Sequence, residues 1–464
     1  MTENRINEVV DVTVSITEAP LSPAAFGRAM ILGIHTRFAE RFRLYTSLTG
    51  MTDDGFVASD AEYKAAEKLL AQSAISGKRV QDFLVGRRAT AVANVWTGVV
   101  TYEASQNITI TISRPGLAPV SVVVATDTDG PTTMAAIVAA LNADSDLGPI
   151  LTAAPVSGST LTITSDQAGI QLSVSATGGG SAALALTETT ANVGLKEDLT
   201  AVKAAGAEWF ATIPTTRNAG DIKHGAEWHE ADGEHIMLAQ GSDSASKSAA
   251  YDSGSPYADV ASELKAGGYN LTSWWYHGDD ASDLAAAVAG RCLPNDPGTQ
   301  TWAQKRLSGI VADDLTATEI ANLTGTKTNP TGGKNANVYI AFSSSISLTQ
   351  RGMMASGRYI DVQRTAMWLQ NQVQTAVFNA QISREKVPFD DSGIQYLANA
   401  VRGVLAAAKD AGVLASDREF SVTPPRSADI SAANKTARVL SPAITANAIL
   451  SGALHYAQVS ITLS

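Results

Sequence analysis

From residue 195 onward, short apolar runs and helical stretches take turns along the chain, and this rhythm constrains the fold more than any other feature. Residues 195–205 have helical spacing and 209–213 form an apolar run closed by Pro214. Residues 219–231 are helical again, 234–239 apolar, 255–266 helical, 271–276 apolar, and 281–291 helical before Pro294. Strands separated by helices of ten or more residues have room for the crossover that parallel pairing requires, whereas a hairpin needs only two residues. The pattern therefore predicts a largely parallel sheet with helices on its faces. Two longer helices are expected beyond it. In 359–380, Val362, Ala366, Leu369, Val373 and Ala376 form one stripe; in 392–411, Ile394, Leu397, Val401, Leu405 and Ala408 form another. Ser392 suits the N-cap of the second and Gly412 its C-terminal stop. A short strand at 420–425 ends in Pro424-Pro425.

Upstream the rhythm differs. Residues 30–34 and 79–87 read as strands, the latter with Val80, Phe83 and Val85 as its apolar members, and 60–73 as a helix with Ala65, Leu69 and Leu70 inward. Residues 95–194 are rich in Thr, Ser, Val and Gly. Strands are expected at 95–103 and 108–113, paired around 104–106, then at 120–126, 161–164 and 170–175, with a helix at 132–141 opened by Pro131. Gly178-Gly179-Gly180 marks a turn or a mobile tip. This stretch reads as an α+β module of about 100 residues inserted at a surface loop.

The two ends alternate with period two. Val10, Val12, Val14 and Ile16 share one face until Pro20 and Pro23; Ala457, Val459, Ile461 and Leu463 share another beyond the Gly452 break. Such a strand pairs either within its own subunit or on a neighbour's sheet edge, and periodicity favours neither. Burying the C-terminal four would contribute about 5–8 kcal/mol, much of it offset by the ordering of a dozen residues. A donated strand is therefore a modest link that gains strength only by repetition through a lattice.

No catalytic constellation is legible. His224 and His229 are five apart, not four, and Gly225-Ala226-Glu227-Trp228 between them is not a zinc motif; His235 falls on the next strand. Gly332-Gly333-Lys334 lacks the upstream Gly and the following Ser or Thr of a phosphate-binding loop, since Thr328 and Asn335 stand there. Asp279-Asp280, Asp313-Asp314 and Asp390-Asp391 each sit near a helix start, where acids complement the helix dipole. Cys292 is alone, with no histidine nearby in sequence to activate it and no disulfide partner. Trp274-Trp275-Tyr276 and Trp368 read as packing residues. Neither a cofactor nor a metal is expected, and the chain reads as no enzyme.

Composition agrees with a protein of many contacts. Charged residues make up only 17% against a usual ~25%, so its surface is either covered by partners or simply rich in small residues. With 45 acidic and 34 basic residues and no Lys/Arg cluster, direct nucleic-acid binding is not expected. Residues 1–10 carry Glu3, Arg5 and Glu8 and no apolar run, so no secretory signal is expected, and no stretch suits a membrane span.

Gly357-Arg358-Tyr359-Ile360-Asp361-Val362-Gln363-Arg364, with Trp368-Leu369 and Val373-Gln374 behind it, resembles the C-terminal core of tail sheath proteins of contractile bacteriophages. So does Lys386-Val387-Pro388-Phe389-Asp390-Asp391-Ser392-Gly393-Ile394 with the helix and closing strand that follow. The likeness is strongest over 340–464. It implies a multidomain α/β and α+β fold: an α/β sheath core assembled from N- and C-terminal segments, an inserted β-rich domain, and strand-forming terminal arms. The expected divisions are an arm at 1–20, core at 21–94, inserted peripheral domain at 95–194, α/β domain at 195–340, conserved core at 341–452 and a second arm at 453–464. The resemblance also implies strand exchange between neighbours through Val10, Val12, Val14, Ile16, Ala457, Val459, Ile461 and Leu463. It implies a helical homopolymer with tail tube, baseplate and tail terminator proteins as partners, located in the virion tail after assembly in the host cytoplasm. The sheath of a contractile bacteriocin or injection machine fits the same residues, and an α/β enzyme with an unrecognised site is a more distant alternative.

Overall fold

The computed structural model describes residues 26–89, 92–113, 119–166, 172–191, 194–254 and 259–455. Strand β1 (Ala29–Ile34) is followed by β2 (Phe42–Tyr45), helices α1 (Leu48–Asp53) and α2 (Ala61–Leu70), and β3 (Phe83–Arg88). In β1, Ala29 and Ile31 enter one apolar core while Met30 and Leu32 enter another on the opposite face. A strand apolar on both sides belongs inside a sheet covered on both faces.

The chain then leaves for a separate module. Its strands are β4 (Val95–Thr101), β5 (Asn107–Ser113), β6 (Val120–Ala125), β7 (Leu151–Ser157), β8 (Thr160–Ser165), β9 (Ser173–Gly178) and β10 (Ala183–Thr190), with helix α3 (Gly130–Ala143) between β6 and β7. They form a four-stranded sheet, β10-β4-β8-β7, and a three-stranded one, β6-β5-β9. Ile108, Ile110 and Ile112 pack against Leu161, Ile163, Ile137 and Leu141 in a core of the module's own. Here one expectation is corrected: β4 and β5 are not paired. β4 pairs with β10 and β8, while β5 pairs with β6 and β9. The chain crosses between sheets at 102–106, where Ser105 takes a positive φ of 59°, and β4 finds both its partners far along the chain.

After the module come α4 (Leu195–Ala204), β11 (Ala211–Pro214), α5 (Ala219–Asp232), β12 (Ile236–Gly241), α6 (Ser244–Ser248), α7 (Val260–Gly267), β13 (Thr272–Tyr276), α8 (Leu284–Cys292), α9 (Ala317–Thr324), β14 (Asn337–Ser343) and β15 (Ile346–Gln350). With β1 to β3 they build an eight-stranded sheet ordered β15-β14-β13-β12-β11-β1-β3-β2. Its six inner strands run parallel, and β2 and β15 close the edges antiparallel. The predicted parallel sheet is thus present. It draws on residues 29–88 and 211–350, so it crosses the expected 340/341 division and joins the 21–94 segment to the 195–340 segment in one sheet. The reason is topological: β3 lies beside β1 on one side, and β11 returns to the other. Helices α2 and α8 cover one face so closely that a Cβ on Gly290 would sit 2.0 Å from the Leu69 carbonyl oxygen.

Last come α10 (Ile360–Ile382), α11 (Asp391–Asp410), β16 (Ser421–Thr423), α12 (Ala432–Ala437) and β17 (Thr445–Asn447). Val373 and Val377 of α10 meet Leu397, Val401 and Leu405 of α11. The N-cap of α11 is Asp390 rather than Ser392: its Oδ1 accepts the Gly393 N–H (2.9 Å) and the Ser392 hydroxyl (2.6 Å). Gly412 follows the helix at φ 75°. No helix of the described residues is long and apolar enough to cross a membrane.

Candidate assembly surfaces

The eight residues expected to exchange strands, Val10, Val12, Val14, Ile16, Ala457, Val459, Ile461 and Leu463, lie outside the described residues. The structure does hold the ground from which the C-terminal segment departs. Leu450 bridges to Leu414 and the Ser451 N–H reaches the Val413 carbonyl at 2.9 Å, laying the chain along the end of the α10–α11 hairpin. His455 then pairs with the Thr301 hydroxyl (2.8 Å), accepts from Gln304 through its carbonyl (3.2 Å), and meets Tyr359 ring edge to face at 4.9 Å. Burial, with Arg351 and Lys305 nearby, lowers its pKa.

Beside α11, β16 and β17 form a two-stranded antiparallel sheet with no third strand among the described residues. Only Val422 is buried, against the helical hairpin. Arg402 donates to the Val422 carbonyl at 2.8 Å, covering part of the β16 side. All three residues of β17 are exposed. An isolated two-stranded ribbon is marginal by itself, and an open edge presents backbone donors and acceptors to an added strand.

The chemically tempting clusters resolve into structural roles. His229 is fully buried, its Nδ1 2.6 Å from the Gly225 carbonyl and Nε2 2.9 Å from the Thr212 hydroxyl; burial pushes its pKa down to about 4. His235 stacks on Trp209 with ring centroids 3.9 Å apart. Asp232, Glu234 and His235 bring ligand atoms within 4.8 Å of one another, a spacing a metal could use. A cation already lies among them, since Lys203 Nζ sits 2.5 Å from Asp232 and 2.6 Å from Glu234. Burial works to raise the Asp232 carboxyl, but His235 and Lys203 hold it well below the usual carboxylate range. Lys334, of the Gly-Gly-Lys sequence, is buried with Asp259 at 2.6 Å and the Ser246 carbonyl at 2.9 Å, so its ammonium is spent inside the protein. Asp279 and Asp390 stand at helix starts as expected, where their side chains accept the N–H groups of Ala281 and Gly393. Asp313 instead accepts the Gly278 N–H and faces His277 at 3.7 Å. The Cys292 thiol is fully buried and pushed up to about 12 by that burial.

In open parallel sheets, ligands favour the carboxyl ends of the strands where the order reverses, here between β1 and β11. That crevice holds the Glu62 carboxylate, packed where a Cβ on Gly33 would be, and the Arg217–Asp283 pair at 2.8 Å. Burial pushes the Glu62 carboxyl up to about 7.

Two buried arginines were not legible beforehand. Arg88, at the end of β3, meets Asp198 at 3.2 Å and Asp221 at 3.1 Å, all three nearly inaccessible. Asp198 also accepts the Ala89 N–H (2.9 Å) and Asp221 the Leu195 N–H (3.3 Å), so both chain crossings into the inserted module are bonded to this pair. Arg364, within the segment carrying the sheath resemblance, donates to the Phe26, Leu293 and Cys292 carbonyls at 2.9, 2.8 and 3.3 Å. It ties α10 to the end of α8 and to the approach to β1. Its helical position could have flagged it, because it falls on the same helix face as buried Ile360 and Met367.

Residues 360–421, which span the helical hairpin and the start of β16, match the family model described as E217 tail sheath protein gp31-like, C-terminal domain. No curated protein sequence matches the chain. The contracted helical sheath of the anti-feeding prophage superposes with a TM-score of 0.54 at 13% identity, over 98% of this chain and 99% of that one. The contracted sheath of an extracellular contractile injection system (PVC) gives 0.46 at 10% identity, over 98% and 96%. The sheath tail protein Lin1278 of Listeria innocua gives 0.44 at 11%, over 88% and 90%; these last two scores lie below 0.5 and add nothing to the fold assignment. The C-terminal hairpin thus matches a tail sheath family model, and the chain as a whole shares the fold of a contracted sheath.

Proposed function

We propose that the chain is a structural subunit that polymerises as a helical sleeve around a tail tube and contracts to drive that tube through a cell envelope. The observation that carries this reading is the family-specific helical hairpin set on a fold shared end to end with a contracted sheath. Residues 1–20 and 453–464 act as arms that leave the subunit, and the open edge of β17 is the receiving surface for a neighbour's strand. Repetition around the sleeve turns each modest link into a strong mesh. The inserted module at 95–194 is peripheral, while 21–94, 195–340 and 341–452 supply the body. Tube, baseplate and tail terminator proteins are the remaining partners. Energy is stored at assembly as a kinetically trapped packing of the subunits, without a nucleotide. The anti-feeding prophage likeness suits an injection machine as well as a phage tail; capsid and terminase genes beside the coding sequence would assign it to a phage.

The test is negative-stain electron microscopy of the recombinant chain over a concentration series, with and without residues 453–464. Hollow striated tubes from the full chain and folded, dispersed subunits from the truncation are expected. Tubes formed equally well by the truncated chain would refute the arm's role.

A further inference from the structure

Between the end of α8, the loop at 295–305 and the segment that precedes the C-terminal arm lies an open cleft of about 470 Å³. Arg291 and Lys305 line it. Arg291 is only 6% exposed, yet it makes no hydrogen bond or ion pair among the described residues. A guanidinium with so little access to water gains from a carboxylate partner. Lys305 is also without a carboxylate partner among them, and burial, aided by the charge of Arg291, lowers its pKa. Asp361 lines the same cleft with its Oδ1 buried and without a hydrogen-bond partner among the described residues. Two cations and one carboxylate leave room for one further negative charge. At the rim stands Ile75, 93% exposed.

We propose that this cleft receives an acidic side chain from a second copy of the chain, which pairs with Arg291 and Lys305 in the assembled polymer. The inference rests on the sheath reading above. Three features select this occupant. The volume greatly exceeds that of a single small ion, about 30 Å³ for a water-sized body. The chain carries 45 acidic against 34 basic residues, so a second copy is rich in the complementary charge. Part of the wall is Ser451, Gly452 and Ala453, where the segment proposed to cross to a neighbour begins. An apolar residue at the rim is suited to keep water from an ionic contact once a partner covers it.

The test compares the full chain with an R291Q/K305Q variant. Because neither side chain has an ion pair to lose, the variant should keep the urea midpoint of the parent. Its threshold concentration for tube formation should rise roughly tenfold or more, and depend less on salt, since a desolvated charge pair governs dissociation. In parallel, Ile75→Cys carrying a photoreactive maleimide should capture, within tubes, a peptide of a second copy that contains Asp or Glu; buried Cys292 does not compete for the reagent. Tubes forming at the same threshold in both chains would overturn the cleft contact and leave the sheath reading intact. A melting temperature raised by inorganic phosphate in the parent but not the variant, with equal assembly, would make the cleft a small-anion site and overturn the contact too. Failure of the parent to polymerise, with the probe finding only its own chain, would overturn the sheath reading and the contact with it.

Discussion

Replacing Arg88 with Met should weaken the whole core, because Arg88 is the only cation within reach of Asp221, and its closest to Asp198, among the described residues. Its guanidinium bonds lie at 3.1–3.2 Å in surroundings where all three side chains are at most 6% exposed. Removing one member of a buried ion pair strands the other charge and typically costs about 3–5 kcal/mol. Two carboxylates share this cation. One of them, Asp198, keeps lesser help from the Ala89 N–H and from Arg41 at 3.4 Å, so the upper part of that range is expected. With an m-value of about 3 kcal/mol/M for a core of this size, the urea midpoint should fall by on the order of 1 M at pH 7. The loss should shrink as pH falls. Burial already raises the Asp198 carboxyl, and without Arg88 it rises further, so protonation relieves part of the penalty. The triple variant R88M/D198N/D221N removes every charge and should recover much of the midpoint. The reasoning fails if R88M unfolds at the parent's midpoint, or if the uncharged triple variant is as unstable as R88M at every pH.

Other outcomes follow from the same geometry. Arg364→Ala should lower the urea midpoint by an amount equivalent to about 3 kcal/mol or more, since three buried carbonyls lose a charged donor, and Arg364→Lys should not restore it because an ammonium cannot span the same fork; full recovery with Lys would contradict this. For Glu62, the folded pKa of about 7 stands above the ordinary 4.5. Its contribution is therefore complete below pH 4.5 and is lost as pH rises to 7, by roughly 3 kcal/mol at 1.36 kcal/mol per unit. Glu62→Gln should match the parent near pH 4 and exceed it above pH 7, measured by urea titration; parallel pH profiles would refute the assignment. Deleting 92–191 with a short glycine linker should leave a cooperatively melting core as long as the Arg88 pairings persist. A broad, non-cooperative transition would show that the module is needed for the fold.

Sequence periodicity carried the local elements well. The stripe of Ile394, Leu397, Val401 and Leu405 is the buried face of α11, and the apolar runs at 234–239 and 271–276 are central parallel strands. It failed where partners are chosen at long range. Nothing in Val95–Thr101 says that it pairs with Ala183–Thr190 rather than with the strand that follows it. Likewise β14 and β15 were not foreseen, because their boundary between sheet and solvent is set by neighbours. The candidate surfaces divide the same way: the terminal alternation was visible, but the open edge of β17 was not.

By itself, the amino-acid sequence determined most of the helices and central strands, that the later half contributes to a parallel sheet, and that the hairpin segment resembles a sheath. These depend on spacings within a few residues of one another, and the chain expresses them wherever it folds. Tertiary structure alone decided which charges are buried. Arg88 and Asp221 are 133 positions apart, and in sequence they look like any solvated acid and base. The same holds for Arg291, whose want of a partner arises only when the end of α8, the 295–305 loop and the 451–453 segment close around it. Burial sets the energetic weight of a charge, and burial is a property of the assembled fold.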